Sequence, residues 1–427
     1  MKIDIDFNKA SFRDFENIPG LDAIERANVF YDFLGFMKSS GHMNYRLVNQ
    51  SGCGPEMEVI TPQSGASPAR FVSFVSNDYL GFTQHPLVKK AVIKAIENYG
   101  TGAGASPLIG GHFRFHQQLE EAIASFFGRS SDSAVIYTTG YTANSASLQS
   151  LLLKEDIAIV DTAVHASVYE GCLLTNRKSF PHNDLNSLER ILKDVQSRYR
   201  TKMVIIDGVY SQDGDIAPLD KIKQLTTRYG AYLMVDDAHG IGVLGDSGRG
   251  ALELYGIMDQ VDFITGTFSK TFAGLGGYVI APPKVAAFLK FQSRQHIFSA
   301  TSTPAVAGII KAIELIDQQP HWRAHLAENI AYFKNGLTSL GLDVGSTQSA
   351  IIPVKIGDPH KTSDAGNLLL KAGVYTNPIL YPAVAKKNAR IRMSLMATHT
   401  REHLDKTLNA FEHINKILHI SKKSSAS

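Results

Sequence analysis

The sequence predicts an α/β fold, with a large domain on a mostly parallel central sheet and a smaller C-terminal α/β domain. Three observations carry that expectation. Short apolar runs alternate with amphipathic segments from about Pro86 to Pro282, the 427 residues leave room for more than one core, and the texture changes after Ala300. The runs read as strands are Ala134–Thr138, Ile157–Asp161, Met203–Asp207, Tyr232–Asp236, Phe263–Gly266 and Tyr278–Ile280. Each is short and nearly all apolar, as strands covered by helices on both faces must be. Between them, Leu185–Tyr199 and Leu219–Tyr229 repeat apolar residues at helical spacing.

The flanks read differently. Asp22 to Phe36 has helical periodicity, and Ser39-Ser40-Gly41 ends it. Phe71 to Ser76 reads as a strand stopped by Asn77-Asp78. After Ala300 a helical stretch from Thr303 through Leu340 is broken at Pro320. Strands at Ile351–Ile356 and Arg390–Leu395 follow, then a helix from Thr400 to Leu418 and a frayed tail from Ser421. The expected division is an N-terminal extension with a helix over 1–70, a large domain over 71–300 and a small one over 301–420.

Composition removes several function classes. An apolar fraction of 44% and a charged fraction of 19% are ordinary for a globular protein. The net charge of +3 is small and scattered, so nucleic acid is not an expected partner. Cys53 and Cys172 lack zinc-ligand spacing, so no metal is expected and a reducing compartment fits. Met1-Lys2-Ile3-Asp4-Ile5-Asp6 has neither a basic nor an apolar leader region. The nearest approach to a spanning segment, Ile297 to Ile316, is interrupted by Ser, Thr, Pro and Lys. The expected location is cytoplasmic, with peripheral membrane contact left open.

In a parallel sheet, ligands bind beyond the carboxyl ends of the strands, so chemistry is sought just after each apolar run. After Ala134–Thr138 comes Thr139-Gly140-Tyr141-Thr142-Ala143-Asn144, where a glycine opens a helix whose free amides suit a phosphate. Alone, such a glycine is usually only a turn. Asp236, ending Tyr232–Asp236, suits pairing with a protonated ring nitrogen, although taken singly a buried cap or ion pair is the commoner role. Gly266-Thr267-Phe268-Ser269-Lys270 puts a lysine beside an apolar strand, where desolvation makes its amine a nucleophile. His165 follows Ile157–Asp161 and offers a flat ring. A lysine for an aldehyde, an acid for a pyridinium and a cup for a phosphate are what pyridoxal 5'-phosphate requires.

The segments Asn77-Asp78-Tyr79-Leu80-Gly81, His165-Ala166-Ser167, Asp236-Asp237-Ala238-His239 and Gly266-Thr267-Phe268-Ser269-Lys270 resemble the α-oxoamine synthases, a family of fold-type I pyridoxal-phosphate transferases. The resemblance runs from about Phe71 to His413. Gly208-Val209-Tyr210-Ser211, Gly214 to Leu219 and Ser394 to Thr400 are most similar to serine palmitoyltransferases within it.

The resemblance implies that Lys270 links to the cofactor aldehyde and acts as catalytic base. It implies that Asp236 holds the ring nitrogen, that His165 stacks on the ring, and that Ser211 and His239 bond the ring hydroxyl. Gly140, Tyr141 and Thr267 would take the phosphate, with Thr301 reaching the phosphate of the opposite subunit in a homodimer with shared sites. Arg392 would grip the amino-acid carboxylate in a two-pronged way, and Asn77 would touch substrate. The implied reaction is decarboxylating condensation of an L-amino acid, serine favoured, with a long-chain acyl-CoA or acyl carrier protein thioester. Its product would be a 3-ketosphinganine-type base of sphingolipid biosynthesis.

Where the family commonly has Gly-Ser-Arg, this chain has Gly104-Ala105-Ser106-Pro107, and His112 follows Gly110-Gly111. That keeps cysteate open as the amino acid, and also glycine or alanine with a shorter acyl-CoA. A dinucleotide reading of Gly100 to Gly104 is rejected because that loop follows a helix. A cofactor-free α/β hydrolase or binding protein is disfavoured because no G-x-S-x-G elbow is present.

Overall fold

The computed structural model describes residues 5–61, 67–300 and 303–421. Its contacts group the chain into two compact units, one of 77–327 with 348–350, the other of 1–76, 328–347 and 351–427.

The first unit carries a seven-stranded sheet. Its order is Ala134–Tyr137, Gly277–Ile280, Phe263–Thr267, Tyr232–Asp236, Lys202–Asp207, Ile157–Asp161 and Asn176–Phe180. The last five strands of that order pair in parallel. Gly277–Ile280 runs antiparallel to both its neighbours. The reason is chain length: only Phe268 to Gly276 separates it from the preceding strand, too few residues for a crossover helix. The expectation of a mostly parallel sheet therefore holds, with one reversed strand.

Val160, Ile205 and Val235 are wholly buried in these strands. Each stabilises the sheet by about 1.5–3 kcal/mol, and the same burial is why the runs stand out in the sequence. Asn176–Phe180 has no apolar run to mark it as a strand because it lies at an edge and its residues, Asn-Arg-Lys-Ser-Phe, are mostly exposed.

The second unit holds two smaller sheets. One orders Val48–Asn49, Glu56–Ile60, Ala69–Ser73 and Val374–Tyr375; the other orders Ile351–Lys355, Arg390–Ser394 and Asn377–Ile379. Because Ala69–Ser73 pairs in parallel with Val374–Tyr375, the first 76 residues group with the C-terminal part and not by themselves. The helix expected near the N-terminus is Ala23–Ser39, where the Asp22 carboxylate accepts from the amides of Ile24 and Glu25, each at 2.8 Å. Its Phe33 is buried against Phe15, with ring centroids 4.7 Å apart.

Elsewhere along the chain, Val306–Gln318 and His321–Ser339 are the two helices separated at Pro320, and Arg401–Leu418 is capped by Thr400. Among the described residues, no helix is long and apolar enough to cross a membrane.

Candidate active site

The sheet direction brings the candidate groups to one edge of the first unit. Asp236 is the last residue of its strand, and His239 lies in the turn beyond it. His165 stands between Ile157–Asp161 and the helix Ala166–Gly171. Gly140 and Tyr141 open the helix Gly140–Leu151, and Ser211 lies in the turn after Lys202–Asp207. Lys270, half-buried, sits in the short connection between Phe263–Thr267 and Gly277–Ile280. That connection is held tightly: the Phe268 amide donates to Gly276 O and the Gly274 amide to Phe268 O, both at 2.9 Å. The backbone thus fixes where the lysine begins.

A chain of hydrogen bonds runs behind the edge. Asn144 Nδ2 donates to Asp236 Oδ2 at 2.6 Å and lies 3.0 Å from Ser167 Oγ. Ser167 Oγ in turn is 2.8 Å from His165 Nδ1. The Ala238 amide donates to the other Asp236 oxygen at 3.0 Å. His165 lies at the edge with Tyr141 edge-on to its ring at 5.8 Å. Desolvation lowers the His165 pKa, the Asp236 charge opposes this and the Lys270 charge reinforces it. The acid and the amine therefore act on one imidazole. His239 Nδ1 is 2.6 Å from Tyr79 Oη.

The start of the helix at Gly140 is a cradle. A Cβ on Gly140 would come within 2.6 Å of Thr267 Cβ and 2.9 Å of Thr267 Oγ1. One on Gly277 would come within 2.6 Å of Gly140 Cα. Only glycines let the three segments close up, which gathers the helix-start amides beside the Thr267 hydroxyl. Thr139 caps the helix by accepting from the Thr142 amide at 3.0 Å. An amine, a buried carboxylate, an imidazole and an amide-lined helix start are a donor set that fits pyridoxal phosphate.

Further acids lie deeper. Burial, and then the Asp236 charge, hold the Asp207 pKa well above the usual carboxylate range. Asp237 is pushed up to about 8, chiefly by burial, although the Ala251 amide donates to it at 2.7 Å. His182 bridges Asp161 at 3.1 Å and Asp215 at 2.9 Å. Burial alone would lower its pKa, but those two hydrogen bonds outweigh it and push it up to about 10. The imidazolium is the cation that lets two carboxylates share this corner.

The remaining expected residues fall as follows. Arg392 is buried in the middle strand of the three-stranded sheet of the second unit, its Nη1 donating to Ser394 Oγ at 3.0 Å. Asn77 Oδ1 accepts from Tyr79 Oη at 3.4 Å. Thr301 lies outside the described residues. Asn144, Ser167 and Tyr79 carry no expected role from the sequence motifs. Asn144 stands one helical turn beyond Gly140, and that spacing is the signal that a polar residue there faces the same way as the helix start.

A family model described as aminotransferase class I and II matches residues 69–411. Among curated proteins, the 8-amino-7-oxononanoate synthase of Alkaliphilus metalliredigens is 39% identical over 350 residues, 81% of this chain and 88% of that protein. The one from Thermoanaerobacter pseudethanolicus is 40% identical over 362 residues, 84% of this chain and 91% of its own length. Among solved structures, Sphingomonas wittichii serine palmitoyltransferase superposes with a TM-score of 0.88 at 30% identity, covering 94% of this chain and 100% of that one. A serine palmitoyltransferase of S. paucimobilis with bound PLP-myriocin gives a TM-score of 0.87 at 29% identity, with the same coverages.

These findings correct the expected reaction. The more similar proteins are named for an amino-oxo acid of nine carbons, not for a 3-ketosphinganine-type base, so the sphingolipid reading falls. The physical reason is that the quoted motifs concern the cofactor shared across the family. They say little about the acyl group.

Proposed function

The chain belongs to the α-oxoamine synthases of the fold-type I pyridoxal-phosphate enzymes, and from that premise we propose that it joins alanine to a heptanedioyl thioester. The substrates follow from the relatives' product name. In 8-amino-7-oxononanoate, the terminal carbon and the amine-bearing carbon are what alanine retains after losing its carboxylate. The remaining seven carbons, ending in a carboxylate, are a heptanedioyl group. Alanine plus the thioester then give the product, carbon dioxide and free thiol. The observation that supports this reading is the higher identity to those synthases than to the serine palmitoyltransferases of known structure.

Pyridoxal phosphate, when bound, supplies an electron sink for the charge left on the amino acid's α-carbon. Around it the chain's own groups divide the work. The Gly140 and Tyr141 amides and the Thr267 hydroxyl bind the phosphate, while Ser211 and His239 bond the ring hydroxyl. Asp236 keeps the proton on the ring nitrogen, and His165 covers the ring face. Arg392 grips the amino-acid carboxylate, and Asn77 contacts substrate. Lys270 Nζ would anchor the cofactor's aldehyde and would supply the amine base for the substrate's α-proton. The enzyme works as a homodimer in the cytoplasm, where Cys53 and Cys172 stay thiols.

The test is a panel of alanine, serine, glycine and cysteate, each with heptanedioyl-CoA and palmitoyl-CoA, following thiol release. Alanine with heptanedioyl-CoA should turn over fastest. Preference for any other pairing in that panel rejects the proposal.

A further inference from the structure

A cavity of about 900 Å³ opens in the second unit, within the size range of small-molecule sites. One wall is apolar, mostly aromatic, and comes from the N-terminal segment: Phe7, Phe12, Phe36 and Met37. The other is formed by Pro378, Ile379 and Leu380. Tyr45 Oη donates to Pro378 O at 3.1 Å, so the two walls are tied together. Burial pushes the Tyr45 pKa up to about 12, so the phenol stays neutral.

The charged groups of the lining are of one sign: it contains Lys9, Lys386 and Lys387, together with the imidazoles of His42 and His360, and no aspartate or glutamate. Some of that charge is answered from outside the lining. Asp6 pairs with Lys9 at 3.3 Å, Asp364 with His42 at 3.1 Å, and Asp14 feels the charge of Lys386. Lys387 is exposed and has no acidic partner among the described residues. An apolar cleft with cationic groups at its lip and no anion of its own complements a slender chain ending in a negative charge. Concavity between two walls suits such a chain better than the flat face of a protein.

We propose that this cavity is a binding site for an aliphatic carboxylate, its chain between the aromatic wall and Pro378–Leu380 and its head at Lys386 and Lys387. The site stands on its own residues and does not depend on the reaction proposed above.

Calorimetric titration of the holoenzyme with decanoate, and with decanol as the uncharged control, tests it. Decanoate should bind about tenfold more tightly than decanol at low salt, and the gap should narrow as salt rises. Lys386→Glu combined with Lys387→Glu, both at exposed positions, should erase that gap and leave decanol binding intact. Phe36→Glu should weaken both ligands. The proposal is overturned if neither ligand binds, or if the lysine pair can be reversed without changing decanoate affinity. It is equally overturned if sedimentation shows that Phe36→Glu separates two copies of the chain while decanoate binding is unchanged, since the cleft would then be a subunit contact.

Discussion

Asn144 Nδ2 lies 2.6 Å from Asp236 Oδ2, and the same nitrogen is 3.0 Å from Ser167 Oγ. One amide thus orients the acid proposed to hold the ring nitrogen and, through Ser167, the imidazole proposed to cover the ring. Hydrogen bonds to ionised groups contribute about 1.5–3 kcal/mol, so Asn144→Leu should cut kcat roughly ten- to a hundredfold. The cofactor's visible absorption band should change its pH dependence at the same time, with circular dichroism of the fold unaltered. A variant with a normal band and normal kcat would remove Asn144 from this role.

Lys270→Ala should fold and still bind pyridoxal phosphate, but borohydride should no longer fix the cofactor to the chain. Loss of a positioned base costs at least about a hundredfold. Exchange of the amino acid's α-proton with solvent, followed by NMR, should fall by that much or more. Exchange at the parent rate would refute the assignment.

Gly140→Ala places a methyl group against Thr267, where 2.6 Å is available. Thr267 must move, at a cost of about 1–3 kcal/mol, and the cradle opens. Affinity of the apo-enzyme for pyridoxal phosphate should drop about tenfold by absorbance titration. If affinity and denaturant midpoint both stay at parent values, the cradle argument is wrong.

His182 is raised to about 10 by Asp161 and Asp215, so the sign of its pH effect is set. A raised histidine contributes stability that is fully present below about 6.5, its unfolded value, and is lost as pH climbs towards the folded value. His182→Gln should cost on the order of 2 kcal/mol at pH 6, below the value for a fully buried pair because the imidazole keeps about a third of its surface in water. The difference in unfolding free energy between parent and variant should shrink between pH 7 and 10. A gap that does not vary with pH would show that the pair carries no such charge.

Much of this was readable in order along the chain. The strands Ile157–Asp161 and Tyr232–Asp236 stand in the structure with the expected bounds, because strands buried on both faces leave unbroken apolar runs. The partially polar edge strand Asn176–Phe180 was not legible, nor was the reversal of Gly277–Ile280, which depends on pairing. At the candidate site, the positions of Lys270, Asp236 and His165 were legible because each ends or follows an apolar run. Asn144 was marked only by its spacing from Gly140, and the link through Ser167 not at all, since it arises only when a helix, a turn and a strand end converge. His182 likewise gains its role from two aspartates 21 and 33 residues away.

The sequence by itself determined the alternation of strands and helices, the strand ends where chemistry belongs and the family of the cofactor, since local hydrophobic period and short motifs are written in consecutive residues. Tertiary structure alone decided which groups share a hydrogen bond and which glycines admit a neighbour. It also decided that one cleft of the second unit is lined by cations without an anion. Those properties belong to distances between residues far apart in the chain, and no local pattern encodes them.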